Sequence, residues 1–278
     1  MDSYTCFDLE IADNVAHLRL NRPEALNSMI AAFWTELPAA VTEISEQAKA
    51  RAVVISSTGK HFCSGMDLAV FAGQTGDEEV ELGRKQARLR STVKTLQWTA
   101  SALEKARVPV LMAMQGGVIG GAVDLATAAD LRYCSADAFF VVAEINIGMT
   151  ADIGTLQRLG KVIPEGVARE LAYTGRRMSA QRAYEVGLVQ EVYADHESLV
   201  AGVLETAKEI AAKSPLAIWG TKVAMNFARD HAVDDSLDHM ATWQSGMFQP
   251  GDMGEAFTAK AEKRDPVFAD LLPERGSL

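Results

Sequence analysis

Pro109-Val110-Leu111-Met112-Ala113-Met114-Gln115-Gly116-Gly117-Val118-Ile119-Gly120-Gly121-Ala122-Val123-Asp124-Leu125-Ala126-Thr127-Ala128 is the stretch on which the fold class turns. Its opening apolar run suits a strand buried on both faces rather than one facing water. Gly116-Gly117 ends that strand, and Gly120-Gly121 leads into a helix through Asp124, Leu125 and Ala128. Asp124 is the only charged residue between Gly116 and Asp130. A doubly buried strand needs helices to cover it, so the chain reads as α/β.

The same grammar recurs on either side. Ala52-Val53-Val54-Ile55 is a second short apolar run of the buried-strand kind. Upstream, Phe7, Leu9 and Ile11, then Ala16, Leu18 and Leu20, alternate with polar residues around a turn at Ala12-Asp13-Asn14, the pattern of a half-buried hairpin. Arg22-Pro23-Glu24 stops it, and Ile30, Phe33, Trp34, Leu37, Val41 and Ile44 have helical spacing, predicting a helix over 30–44. A polar surface segment is expected over 73–81, a long helix over 82–105, and strands at 131–133 and 139–142. Past about residue 160 the pattern is mostly helical, with Ser214-Pro215 resembling an N-cap followed by Pro at the first helical position. Strand–strand–helix units therefore fill a core of residues 1–199, and residues 200–278 form a C-terminal helical region.

Composition narrows the function. With 278 residues and a net charge of −10, the chain lacks the basic footprint of a nucleic-acid surface, and no run approaches the length of a membrane span. Three scattered cysteines and five scattered histidines form no disulfide framework or metal motif, so no metal is assigned. Met1-Asp2-Ser3-Tyr4 carries neither a signal peptide nor a transit pattern, and Gly276-Ser277-Leu278 is no peroxisomal address. The location expected on these grounds is the cytoplasm of a bacterium.

Two Gly-bearing turns and three acids carry the chemistry. In Ser64-Gly65-Met66-Asp67 the glycine allows a sharp turn that can leave the Met66 N–H pointing into a cleft. Gly120-Gly121 opens a helix whose first N–H groups suit a developing oxyanion, and the Gly121 N–H can complete a pair with Met66. Each turn also has a purely structural reading: a plain strand-to-helix turn, or close packing of a helix start. Asp124 fits a first-turn acid as well as a functional one, Glu144 fits an ion pair as well as a desolvated base, and Asp152, taken alone, fits a helix cap. Taken together, they point to a carbonyl oxygen held by amides while carboxylates move protons beside it.

Gly65-Met66-Asp67-Leu68, Gly120-Gly121-Ala122-Val123-Asp124, Gly154-Thr155-Leu156-Gln157-Arg158-Leu159 and Leu20-Asn21-Arg22-Pro23-Glu24-Ala25-Leu26-Asn27 resemble, in order, the motifs of the enoyl-CoA hydratase/isomerase (crotonase) superfamily. The run 123–134 and the run 230–243 are most similar to the dienoyl-CoA isomerases of that superfamily, as is the acid triple Asp124, Glu144 and Asp152. Hydratases carry Glu at the first of these positions and Gly at the third. The resemblance implies a crotonase-type α/β fold of repeated ββα units, with the C-terminal helices packing into homotrimers or dimers of trimers.

It further implies a β-oxidation enzyme converting 3,5-dienoyl-CoA to 2,4-dienoyl-CoA. Met66 and Gly121 would form the oxyanion hole, Glu144 would take the C2 proton, Asp152 would deliver one to C6, and Asp124 would line the pocket and tune their charge. CoA, part of the substrate rather than a cofactor, would lie over Arg22, Glu24, Ala25 and Leu26 and over Ser64, Gly65, Asp67 and Leu68, with Lys263 a phosphate contact. Glu24 and Ala69 stand where Lys is frequent in hydratases. An enoyl-CoA hydratase is the nearest alternative and Asp152 speaks against it; a non-catalytic CoA-binding subunit is the other, against which all three acids weigh.

Overall fold

The computed structural model describes residues 4–67, 69–70, 80–248 and 250–274. Strands β1 (Phe7–Ala12), β2 (Val15–Leu20), β3 (Ala52–Ser57), β4 (Val110–Met114), β6 (Leu131–Ser135) and β9 (Glu191–Tyr193) form one sheet in the order β1-β2-β3-β4-β6-β9. Only β1 and β2 pair antiparallel; every later neighbour is parallel. β5 (Gly117–Ile119), β7 (Phe139–Val141) and β8 (Met178–Ser179) form a second, three-stranded sheet. β4 and β5, and likewise β6 and β7, are consecutive strands that belong to different sheets, so each ββα turn adds one strand to each.

Alternation along the strands sorts side chains into two layers. Val53 and Ile55 of β3 join the cluster that holds Phe33, Trp34, Leu37, Val41 and Ile44 of helix α1 (Phe33–Glu46). Ala52 and Val54 face the other way, with Leu111 and Ala113 of β4, onto Leu199, Val203 and Ala207 of a helix at His196–Ala211. Residue 199 therefore falls inside a helix packed on the main sheet. α1 begins three residues later than the apolar spacing suggests, because the chain around Ile30 is occupied by a turn in which Phe33 N–H donates to Ile30 O.

Pro38 lies inside α1 and can donate no hydrogen bond to Trp34 O. Thr99 Oγ1, from the long helix α2 (Leu82–Lys105), donates to that carbonyl instead at 3.3 Å. α2 buries only Thr99, Ala100, Ala102 and Leu103 among its residues. After β5 come α3 (Gly121–Ala128) and, beyond β7 and a 3-10 turn at Glu144–Ile147, α4 (Thr155–Val162), α5 (Glu165–Thr174) and α6 (Ala180–Glu185). The chain closes with α7, the helix at His196–Ala211, then α8 (Pro215–Asp230), α9 (Val233–Met247) and α10 (Pro250–Glu262). Ser214 caps α8 by accepting from Ala217 N–H, and Pro215 stands at its first position, as the sequence indicates.

A buried cation pins α8 to the core. Lys222 Nζ donates to Leu103 O (2.9 Å), Val108 O (3.0 Å) and Asp130 Oδ2 (2.7 Å), and Asp130 Oδ2 also accepts from Val110 N–H. Replacing Lys222 by Met removes the cation and leaves a desolvated carboxylate and two carbonyls behind. The expected loss is about 3 kcal/mol of unfolding free energy, measurable by urea denaturation followed through tryptophan fluorescence.

Candidate active site

The site begins at the edge of the small sheet. Cys63 N–H donates to Gly117 O and Ile119 N–H donates to Cys63 O, so residue 63 pairs with β5 like a strand added for one residue. Gly65 then turns at φ +92°, where a Cβ would stand 2.9 Å from Ile119 O, so neither the angle nor the space admits another residue. Met66 pairs with Met29 through the flanking groups, Met29 N–H to Gly65 O and Asp67 N–H to Met29 O. Its own N–H makes no hydrogen bond among the described residues.

β5 ends in the same manner. Gly120 N–H still donates to Val141 O of β7, but Gly120 turns at φ +55° into the start of α3, and the Gly121 N–H has no acceptor among the described residues. Met66 and Gly121 both line a cleft of about 290 Å³, together with Ser64, Gly65, Glu144 and Asp152. Two unpaired amides and two carboxylates thus share one space. Such amides suit an oxygen that is gaining negative charge.

Glu144 follows β7 as the first residue of the 3-10 turn, half-buried, with its Oε2 buried and unpartnered. Burial raises its carboxyl above the ordinary range, and the Asp152 charge raises it further. A Cβ on Gly120 would stand 3.3 Å from Glu144 Oε1, which places this carboxylate beside the turn that bares the Gly121 amide. Asp152 is exposed within the cleft.

Asp124 is brought near these groups but not into the cleft lining. It is 1% exposed, its Oδ1 accepts from Thr155 N–H at 2.6 Å, and its Oδ2 has no partner. Asp124, from α3, therefore caps α4; Asp152 does not cap it, and the N-cap residue Gly154 offers no side chain. Desolvation pushes the Asp124 carboxyl up to about 7, and the Glu144 charge adds to the rise.

The other candidate residues divide. Ser64 and Gly65 line the cleft, and Ser64 N–H donates to Leu26 O, which sets the turn at Pro23–Ala25 and Leu26 beside it. Arg22 Nη1 donates to Ser28 O. Glu24 is exposed and Ala25 partly so. Asp67 accepts from Ala69 N–H and from Ser28 Oγ, which hold its carboxyl below the usual range. Lys263 follows α10, exposed and away from the cleft lining, and Leu68 lies outside the described residues.

One wall of the cleft was not foreseen. Leu89, Thr92, Val93 and Leu96 of α2 line it, facing Ile147, Met149 and Ile153. Leu89, Val93 and Leu96 have the i, i+4, i+7 spacing of one helix face, a stripe recognisable within an otherwise charged helix. Farther along α2 the lining ends: Trp98 is exposed beneath Lys105, and Leu103 is in the core. Among the described residues no group of three His, Cys, Asp or Glu could hold a metal ion, and no helix is long and apolar enough to cross a membrane.

Residues 10–271 match the family model described as Enoyl-CoA hydratase/isomerase. The chain belongs to the enoyl-CoA hydratase/isomerase family. It is therefore an enzyme of the crotonase kind, acting on acyl-CoA thioesters of the enoyl type. It is 42% identical over 257 residues to the mitochondrial Delta(3,5)-Delta(2,4)-dienoyl-CoA isomerase of Mus musculus, covering 91% of this chain and 78% of that one. It is 40% identical over 276 residues to the peroxisomal isomerase of the same name from Arabidopsis thaliana, covering 98% and 99%. The crystal structure of enoyl-CoA hydratase from Bacillus anthracis superposes with a TM-score of 0.84 at 30% identity, covering 98% of this chain and all of that one. These relatives overturn the expectation of a cytoplasmic bacterial enzyme, since the isomerases are named mitochondrial or peroxisomal. The expectation took a missing address for an address.

The buried acid makes a testable contribution to stability. An unfolded chain releases the Asp124 proton near the ordinary value of 3.8, and the folded chain near 7. Between those values the folded state binds the proton more tightly, so this group makes the fold less stable as pH rises. From pH 5 to pH 7 the wild-type chain is expected to lose about 2 kcal/mol more unfolding free energy than Asp124→Asn, as read by urea denaturation at the two pH values.

Proposed function

We propose that this cleft isomerises 3,5-dienoyl-CoA to 2,4-dienoyl-CoA. The observation that carries the reading is that Glu144 and Asp152 line one cleft with the unpaired amides of Met66 and Gly121. The thioester oxygen accepts from the two amides, and the Glu144 carboxylate takes a proton from C2. The C2–H electron pair moves into the conjugated system, giving an extended enolate (C1=C2, C3=C4, C5=C6) whose oxyanion the amides stabilise. Asp152, protonated, delivers its proton to C6, so that the double bonds come to lie at C2–C3 and C4–C5. Glu144 is left protonated and Asp152 ionised, and exchange with water restores both.

Two carboxyls serve because C2 and C6 are too far apart for one short side chain to reach both. The apolar wall of Leu89, Val93, Leu96 and Ile153 excludes water along the chain between them. Asp124 stands behind the cleft, capping α4, and does not touch substrate. The two dienoyl-CoA isomerases reported above support this reading over hydration, as does the presence of an acid at Asp152.

The test mixes the enzyme with 3,5-octadienoyl-CoA and follows the ultraviolet band of the conjugated 2,4-dienoyl thioester, with 2-octenoyl-CoA as a parallel hydration assay. The band is expected to grow rapidly and to slow by at least about 100-fold in both Glu144→Gln and Asp152→Asn. Rapid loss of the enoyl band with no dienoyl product would make the enzyme a hydratase.

Assembly through the C-terminal helices belongs to the same proposal. Val233 and Leu237 of α9, Phe257 of α10 and Met225 of α8 are all more than 60% exposed, an apolar surface that a second subunit would cover. Sedimentation velocity is expected to give a trimer or a dimer of trimers; a monomer at micromolar concentration would refute this part.

A further inference from the structure

We infer that Gln97 is a positioning residue for Asp152, holding the backbone of that acid so that its carboxyl faces the far end of the acyl chain. The inference rests on the isomerase reading. Gln97 Nε2 donates to Asp152 O at 2.8 Å. It belongs to α2, one residue past Leu96, and so comes from the helix that forms the apolar wall.

What makes this bond weigh is the poverty of its surroundings. Met149 N–H donates to Glu144 O, and Thr155 N–H donates to Asp124 Oδ1. Residues 150–153 in between adopt no regular structure, and among the described residues the hydrogen bond from Gln97 is the only one they make. The buried side chains of Ala151 and Ile153 set how deep the segment sits. Apolar contacts are not directional and leave the peptide planes free to rock, whereas a hydrogen bond at a carbonyl fixes one of them. The Asp152 side chain leaves the backbone at the atom next to that carbonyl.

The bond is also part of a longer clasp. Gln97, Ser101 and Glu104 stand at helical spacing on one face of α2. Ser101 Oγ accepts from Arg158 Nη2 at 3.1 Å, and Glu104 Oε2 pairs with the same nitrogen at 3.0 Å. The Arg158 guanidinium lies against Gly154, where φ is +142° and a Cβ would stand 1.9 Å from Nη1. One helix face therefore grips the loop at Asp152 and, through Arg158, the helix α4 that follows it. The chain that packs on Leu89, Val93 and Leu96 touches the same helix that orients the acid.

Gln97→Met keeps the length of the side chain and removes the donor, and Gln97→Lys returns a donor of similar reach. Each is assayed in two ways: isomerisation of 3,5-octadienoyl-CoA, and exchange of the C2 hydrogen for deuterium in recovered substrate in deuterated water. Gln97→Met is expected to lower kcat for isomerisation at least about 10-fold with KM within about twofold. Exchange at C2 is expected to persist undiminished, because Glu144 and the amides are untouched, and Gln97→Lys is expected to regain most of the kcat. Gln97→Ser, too short to reach the carbonyl, is expected to repeat the split. Full kcat in Gln97→Met, or equal loss of exchange and isomerisation, would overturn the positioning role while leaving the isomerase reading intact. A wild-type enzyme that hydrates and does not isomerise would overturn both.

Discussion

The backbone of Gly65 runs so close to the carbonyl of Ile119 that no side chain fits between them, and the site depends on that approach. Pairing at the edge of the small sheet takes up the amides of Cys63, Ile119 and Gly120, and then stops. At that edge two chains turn through glycine at positive φ, one after residue 63 and one after β5. The next amide of each has lost its strand partner, and both line the same cleft. Unsatisfied donors are costly inside a protein and tolerable at the mouth of a cleft, where water or a ligand oxygen meets them. The two amides left bare among the described residues thus stand where a sheet runs out of strands.

The same logic orders the three carboxyls by depth. Asp124 is fully enclosed and takes an amide of α4; Glu144 is half-enclosed; Asp152 stands open. Desolvation, rather than ion pairing, dominates the upward shifts of the two inner groups, and each is raised further by the next acid outward. The deepest acid is therefore the one most readily kept neutral. The two acids that line the cleft are left to exchange protons with a ligand.

Much of this was legible in the residues. Uninterrupted apolar runs marked β3 and β4 as buried strands, and glycine turns and isolated acids singled out Met66, Gly121, Glu144 and Asp152, four residues that line one cleft. What spacing could not convey was which acid meets which helix. Capping of α4 fell to Asp124, thirty-one residues away, because a contact between helices has no signature along the chain. The stripe of Leu89, Val93 and Leu96 was overlooked because charged residues outnumber it on α2, and helix boundaries alone say nothing about which face meets a cleft. The Pro38 vacancy filled by Thr99 is of the same kind, a local deficit met by a distant donor.

α2 has one further property. Its buried residues are confined to its last third, from Thr99 onward, while the turns that line the cleft come before it. Local stability follows buried contact, so the helix behaves as a beam fixed at one end. The amide side of the cleft is part of the sheet and is stiff; the α2 side gives only before Gln97, where the bond to Asp152 begins its fixed end. On the proposed reading, the reacting end of an acyl chain would meet the rigid jaw, and its tail the one that can give.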